Sequence, residues 1–202
     1  MSKMNLPNKL TVFRICMVPV FIVVMMLPAS VISATVSGIV GVVLFVIASL
    51  TDMLDGKIAR KYNLVTDFGK LMDPLADKFM VIGALTAIVY RATDATRFLF
   101  IIVLLVVVFR ELAVTSLRLV ASSSGGKVVA ANMLGKVKTV CQIVFVVVAI
   151  VEPIVYGYVA LPDAWETNVP LSYVFGGLTV ILTVWSGINY FVGLWKYLDP
   201  EK

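Results

Sequence analysis

Residues 36–90 read VSGIVGVVLFVIASLTDMLDGKIARKYNLVTDFGKLMDPLADKFMVIGALTAIVY. An apolar run ends at Leu50, and a second begins after Lys78. Between them, from Thr51 to Lys78, lie five aspartates. The apolar runs suit helices that cross a bilayer, each needing about 20 largely apolar residues. Asp52 and Asp55 stand three apart at the end of the first helix, and Asp73 and Asp77 four apart at the start of the next. Either spacing puts a pair on one helical face. A hairpin of the two helices would bring both pairs together at one depth.

The rest of the chain agrees. It has 202 residues, of which 60% are hydrophobic, against about 45–50% in soluble domains. That composition predicts one all-α integral membrane domain over residues 1–202. Six spans are expected, near 10–28, 31–51, 69–92, 95–120, 136–159 and 171–196. The lead-in MNLPNKLTVFR is amphipathic and predicts a short interfacial helix with Pro7 in its first turn. Lys3, Lys9 and the apolar run after them resemble a signal peptide. The run is long for one, however, and five further spans follow, so it reads as a retained first span.

Of the 17 lysines and arginines, only Arg91 and Arg97 fall near the loop between spans three and four. The loop after span five holds Glu152, Asp163 and Glu166 and no basic residue. The other fifteen basic residues lie on the opposite side, which the positive-inside rule makes cytoplasmic. Both termini and the aspartates are then cytoplasmic, and the net charge of +5 favours an anionic inner leaflet. The segment SSSGGK, 122–127, reads as a flexible cytoplasmic loop.

With no histidine, imidazole chemistry is excluded. Cys16 and Cys141 lack metal-site spacing and read as small apolar residues. GGKVVAANMLGKVKT lacks the phosphate-loop pattern. Trp165, Trp185 and Trp195 fit interfacial belts or packing, and no basic–aromatic stripe points to nucleic acid. Four clustered carboxylates remain to be explained. Like charge and burial both disfavour their ionisation, so something positive must compensate. A set of oxygen ligands points to a hard cation, Mg²⁺ or Mn²⁺. Two such ions suit displacement at phosphorus. The plainer reading pairs each aspartate with Lys57, Arg60, Lys61 or Lys70. It accounts for single residues better than for two pairs at helical spacing. Gly56 and Gly69 would permit close backbone or ligand approach, and Arg60 would suit a bidentate phosphate contact.

The pattern Asp52-x2-Asp55-Gly56-x2-Ala59-Arg60-x8-Gly69-x3-Asp73-x3-Asp77 resembles, position for position, the signature of the CDP-alcohol phosphotransferase family. PNKLT at Pro7–Thr11 is similar to the element preceding that family's first span. NLPNKLTVFR, FRELAVTSLR and LGKVKT resemble the branch that phosphatidylates glycerol phosphate. The resemblance implies transfer of a phosphatidyl group from CDP-diacylglycerol to the 1-hydroxyl of sn-glycerol 3-phosphate, with CMP leaving. It implies that Asp52, Asp55 and Asp73 bind the metals and that Asp77 touches metal and acts as the base. Gly56, Ala59 and Gly69 would line the CDP site, with Arg60 near, and Asn8 and Thr11 would contact the nucleotide. It also implies a homodimer.

A phosphorylated acceptor needs fixed positive charge, for which Arg110, Arg118 and Lys136 are the candidates, with Lys138 beside them. Their alternative roles are topology, anionic-lipid binding and, for Arg110, an ion pair with Glu111. Inositol phosphate, serine or phosphatidylglycerol are alternative acceptors within the family. An intramembrane prenyltransferase also uses paired aspartates and Mg²⁺, but usually has more spans. An ion or proton transporter would place its relay near mid-membrane, between repeats.

Overall fold

The computed structural model describes residues 4–62, 64, 66–123, 133–159 and 169–195. Ser122 and Ser123, expected in a flexible loop over 122–127, are the last residues of a helix that begins at Asp94. Residues 124–127, Trp165, Asp163, Glu166 and the Arg60 side chain lie outside the described residues. Six α-helices and no strand are present among those described: α1 Leu6–Met26, α2 Ala34–Lys61, α3 Asp67–Arg91, α4 Asp94–Ser123, α5 Met133–Tyr156 and α6 Pro170–Leu194. Five of them are long and apolar enough to cross a membrane. The sixth, α3, carries Asp73, Asp77 and Lys78 in its first half and apolar residues beyond. The protein is a multi-pass, all-helical membrane protein.

Local chemistry sets the helix starts. Asn5 caps α1, its side chain accepting from the Asn8 amide at 3.1 Å, and Pro7 occupies the first turn as expected. The helix does not then stop. The amphipathic lead-in and the first span are one continuous helix to Met26, with no separate interfacial helix among the described residues. Nothing in the sequence between Leu10 and Phe13 breaks a helix, so the two fuse. Ser33 caps α2 and Thr66 caps α3, each through its hydroxyl. α2 runs eleven residues past the apolar run that ends at Leu50, to Lys61, and thereby carries Asp52 and Asp55 as helical residues.

α1 packs along both α2 and α3, while α2 and α3 touch each other little. α6 packs on α4 and α5. One apolar core joins Val18, Phe21 and Met25 of α1 to Phe45 of α2, Leu85 of α3 and Phe145 of α5. Small residues let α1 and α3 approach. A Cβ at Gly83 would stand 2.9 Å from Ile22 Cδ1 and 3.1 Å from Val18 Cγ1. Gly83→Val therefore forces the Ile22 and Val18 side chains out of their places between α1 and α3, and thermal melts in detergent should register a loss of about 1–3 kcal/mol. An unchanged melting temperature would contradict this packing. The outward faces carry apolar residues such as Val23, Leu105, Phe109 and Ile181, as lipid contact requires.

The start of α6 is built by another helix. Its N-cap, Val169, has φ 38° and offers no side-chain cap. Glu152, buried in the last turns of α5, accepts instead from the Leu171 amide at 2.8 Å, the Ser172 amide at 2.7 Å and the Ser172 hydroxyl at 2.6 Å. Tyr156 donates to the same carboxylate at 2.8 Å. A carboxylate there satisfies free amides and meets the positive end of the helix dipole. Replacing it with alanine strands those buried donors. Glu152→Ala should lower stability by about 2–3 kcal/mol, and amide exchange at Leu171 and Ser172 should accelerate. Unchanged protection at those two amides would remove this assignment.

Candidate active site

One stripe of α1 faces the bundle throughout: Asn8, Thr11, Arg14, Val18, Phe21 and Met25 are all buried. Its deep half is apolar and its first half polar. The polar half meets the aspartate hairpin. The Arg14 side chain is 0% exposed. Its Nη1 donates to Asp52 and its Nη2 to Asp55, so one guanidinium bridges the pair on α2. Asp55 is buried, whereas the Asp52 side chain is 41% exposed.

Thr11 Oγ1 donates to Asp73 Oδ1 at 2.5 Å. Asn8 Oδ1 accepts from Thr66 Oγ1 at 2.9 Å, and Thr66 in turn accepts from the Gly69 amide at 3.1 Å. Asn5 Nδ2 reaches the Leu64 carbonyl at 2.9 Å. Gly69 lies against this knot. A Cβ there would sit 3.2 Å from Asn8 Oδ1 and 3.7 Å from Asp73 Oδ2. The two acidic pairs do converge, but through α1, which lies between them.

Asp77, one turn beyond Asp73, has no hydrogen bond or ion pair among the described residues. It feels the charges of Asp52 and Glu111 on one side and of Lys138 and Arg14 on the other. Lys138 is buried, and its Nζ donates to Glu111 Oε1 at 2.5 Å. Arg110 Nη1 donates to the same oxygen at 3.0 Å, and Arg110 Nη2 to Ser186 Oγ at 2.9 Å. Lys78 Nζ reaches Thr115 Oγ1 at 2.6 Å, joining α3 to α4.

The basic residues expected near an acceptor therefore divide. Arg110 is held by Glu111 and Ser186, and borders an apolar groove of about 780 Å³ between α4 and α6. Arg118 is exposed and lies over the Tyr190 ring, 5.9 Å from its centroid. Lys136 is exposed near the start of α5. Lys138, not Arg110, is the cation of this group that acts on Asp77. Gly56 and Ala59 follow Asp55 on α2, both partly buried.

Sequence alone assigns no role to Arg14 and only a secondary one to Lys138. The signal for Arg14 was present in the spacing 8, 11, 14, 18, 21, 25, a single helical stripe whose polar members must find polar partners.

The donor set at the aspartates is all oxygen and suits a hard divalent ion. Among the described residues no three acidic side chains form a ready metal centre. The positive charge between Asp52 and Asp55 is Arg14's. Asp52 and Asp55 thus share one cation, the Arg14 guanidinium, and the chemistry of their oxygen donors fits a hard divalent ion.

The described helices form a membrane bundle whose first helix gathers an acidic cluster. The profile of the CDP-alcohol phosphatidyltransferases matches residues 4–185, and the chain belongs to that family. It is 41% identical, over 98% of its own length and 99% of the relative's, to a protein of Bacillus subtilis (strain 168) named CDP-diacylglycerol–glycerol-3-phosphate 3-phosphatidyltransferase. A protein of the same name from Rickettsia felis is 36% identical over 96% of this chain and 97% of its own. One from Shigella flexneri serotype 5b is 30% identical over 92% of each.

Proposed function

We propose that the protein transfers the phosphatidyl group of CDP-diacylglycerol to the 1-hydroxyl of sn-glycerol 3-phosphate. The oxygen of that hydroxyl bonds to the phosphorus carrying the diacylglycerol, the bond from that phosphorus to the CMP phosphate oxygen breaks, and the hydroxyl proton leaves to a base. The observation that carries the reading is the assembly of Asp52, Asp55, Asp73 and Asp77 around Thr11 and Arg14 at one end of the bundle. Full-length likeness to three proteins bearing the corresponding name supports the choice of substrates.

In this reading Asp52, Asp55 and Asp73 hold Mg²⁺ or Mn²⁺, with Asp77 contributing. A bound divalent ion supplies neutralisation of the donor diphosphate and of the departing CMP. Asp77, unpaired among the described residues, accepts the acceptor's proton, for which it needs only hydrogen-bond reach. Gly56, Ala59 and Gly69 keep bulk away from the nucleotide, and Asn8, Thr11 and Arg60 flank it. Arg118 and Lys136 attract the acceptor phosphate, and Lys138 offsets the acidic charge around Asp77. Arg110, already paired, orients Glu111. The proposal includes one membrane domain spanning the chain and a homodimer. It also includes a cytoplasmic site in the inner membrane, as the distribution of basic residues favours. A donor with acyl chains in the bilayer and its diphosphate among the headgroups needs a site at that level.

The test is CMP release by purified protein supplied with CDP-diacylglycerol and Mg²⁺ or Mn²⁺. Release should require glycerol 3-phosphate and stop in EDTA. Release that depends strictly on inositol phosphate, serine or phosphatidylglycerol would reassign the acceptor within the family.

A further inference from the structure

We propose that Arg14 is the resident counter-ion of the Asp52–Asp55 pair and that a divalent ion takes its place there. Ion binding is then coupled to the seating of α1. The inference rests on the reading above that these aspartates hold such an ion.

Four observations converge on it. Each outer nitrogen of one guanidinium is committed to a different carboxylate of the pair, so Arg14 occupies the position that an ion shared by both would need. The charge balance is incomplete. Two carboxylates and one guanidinium leave a net −1, and Asp73 adds its own field to both members of the pair. A divalent ion in the same place brings the pair to neutrality, which matters where water is scarce. Arg14 Nε is buried without a partner, so the guanidinium is not fully satisfied where it sits. Finally, Asp55 is enclosed while Asp52 is 41% exposed. An ion therefore has an approach on the Asp52 side and can displace one arm of the fork before the other.

The physical logic is a competition between two cations for one pair of ligands. Arg14 keeps the carboxylates converged and docks α1 against α2. When an ion binds, the fork gives up at least one carboxylate. A planar guanidinium freed beside such a site suits phosphate oxygens bidentately. Thr11 and Asn8 hold α1 in register through Asp73 and Thr66, contacts that do not involve the disputed pair.

The experiment measures Mn²⁺ binding to the full-length protein in detergent, following the free-ion signal by electron paramagnetic resonance. Wild type is compared with Arg14→Gln and Arg14→Lys. A residue that only holds the site together would weaken binding when replaced. Competition predicts the reverse: both variants bind Mn²⁺ more tightly than wild type, Arg14→Gln by about tenfold or more. Arg14→Lys should gain less, because an ammonium still opposes the ion but does not bridge two carboxylates as the fork does. Arg14→Gln should also melt lower than wild type in EDTA and recover in Mg²⁺, so it is purified in Mg²⁺. If it does not fold there, Arg14→Lys against wild type decides the question. Unchanged or weaker affinity in the variants would overturn the proposal. So would tightening in Arg14→Gln with Arg14→Lys at the wild-type value, since that is a distant charge effect. Wild-type protein that binds no Mn²⁺ would overturn the ion reading beneath it as well. Wild-type binding that is indifferent to Arg14 removes this inference alone.

Discussion

Asp77→Asn lowers kcat by about 10²–10⁴-fold, the range a positioned general base supplies, and leaves the protein folded. The amide matches the carboxylate in shape and has lost the basic oxygen. Among the described residues Asp77 has no ion pair to break, and its acidic neighbours Asp52 and Glu111 oppose its charge. Removing that charge relieves repulsion, so the melting temperature should hold or rise slightly. Binding of Mn²⁺ should persist if Asp52, Asp55 and Asp73 are the main ligands. Steady-state rates of CMP release with saturating donor and acceptor, alongside a thermal melt, decide it. A wild-type kcat would remove Asp77 from the chemistry, and a collapsed fold would make its role structural.

The second large effect is on the fold. Asp55→Ala removes the buried partner of a fully buried arginine. Breaking a buried pair from one side costs about 3–5 kcal/mol, because the surviving charge stays desolvated. Asp52→Ala should cost less, since the Asp52 side chain is 41% exposed and water can replace part of what it provides. Both variants should lose phosphatidyl transfer. The expected signature is therefore a split: similar loss of activity and unequal loss of stability. Adding Arg14→Gln to Asp55→Ala should restore part of the stability, because no unpaired buried charge remains. Equal melting temperatures for the two single variants would contradict the burial difference on which this rests.

Much of this site is legible along the chain. Asp52 with Asp55, and Asp73 with Asp77, declare themselves by helical spacing inside an apolar context. Thr66 as a cap and Pro7 in a first turn are local chemistry of the same kind. Five of the six described helices follow from apolar length, and α3 is recognisable despite its charged first half because its second half is apolar.

What stayed hidden depends on contacts between distant residues. Asn8 and Thr66 are 58 positions apart, Thr11 and Asp73 62, and Arg14 and Asp55 41. No local rule says that α1 rather than a turn gathers the two acidic pairs. Arg110 and Lys138 are both cations on apolar helices, and only packing decides which of them acts on Asp77. Glu152 reads as a loop acid in sequence, yet it lies within α5 and caps the start of α6. The extension of α1 through its amphipathic lead-in was equally invisible, because amphipathicity describes a face and not an end.

The amino-acid sequence on its own determined that the chain is helical and spans a membrane, and that two pairs of its aspartates collect at one end. Those properties arise from composition and from short-range periodicity. Only the tertiary structure decided which positive charge answers the acids. A charge in a low-dielectric interior binds whatever opposite charge the packing brings within reach, and that choice is made by helix placement.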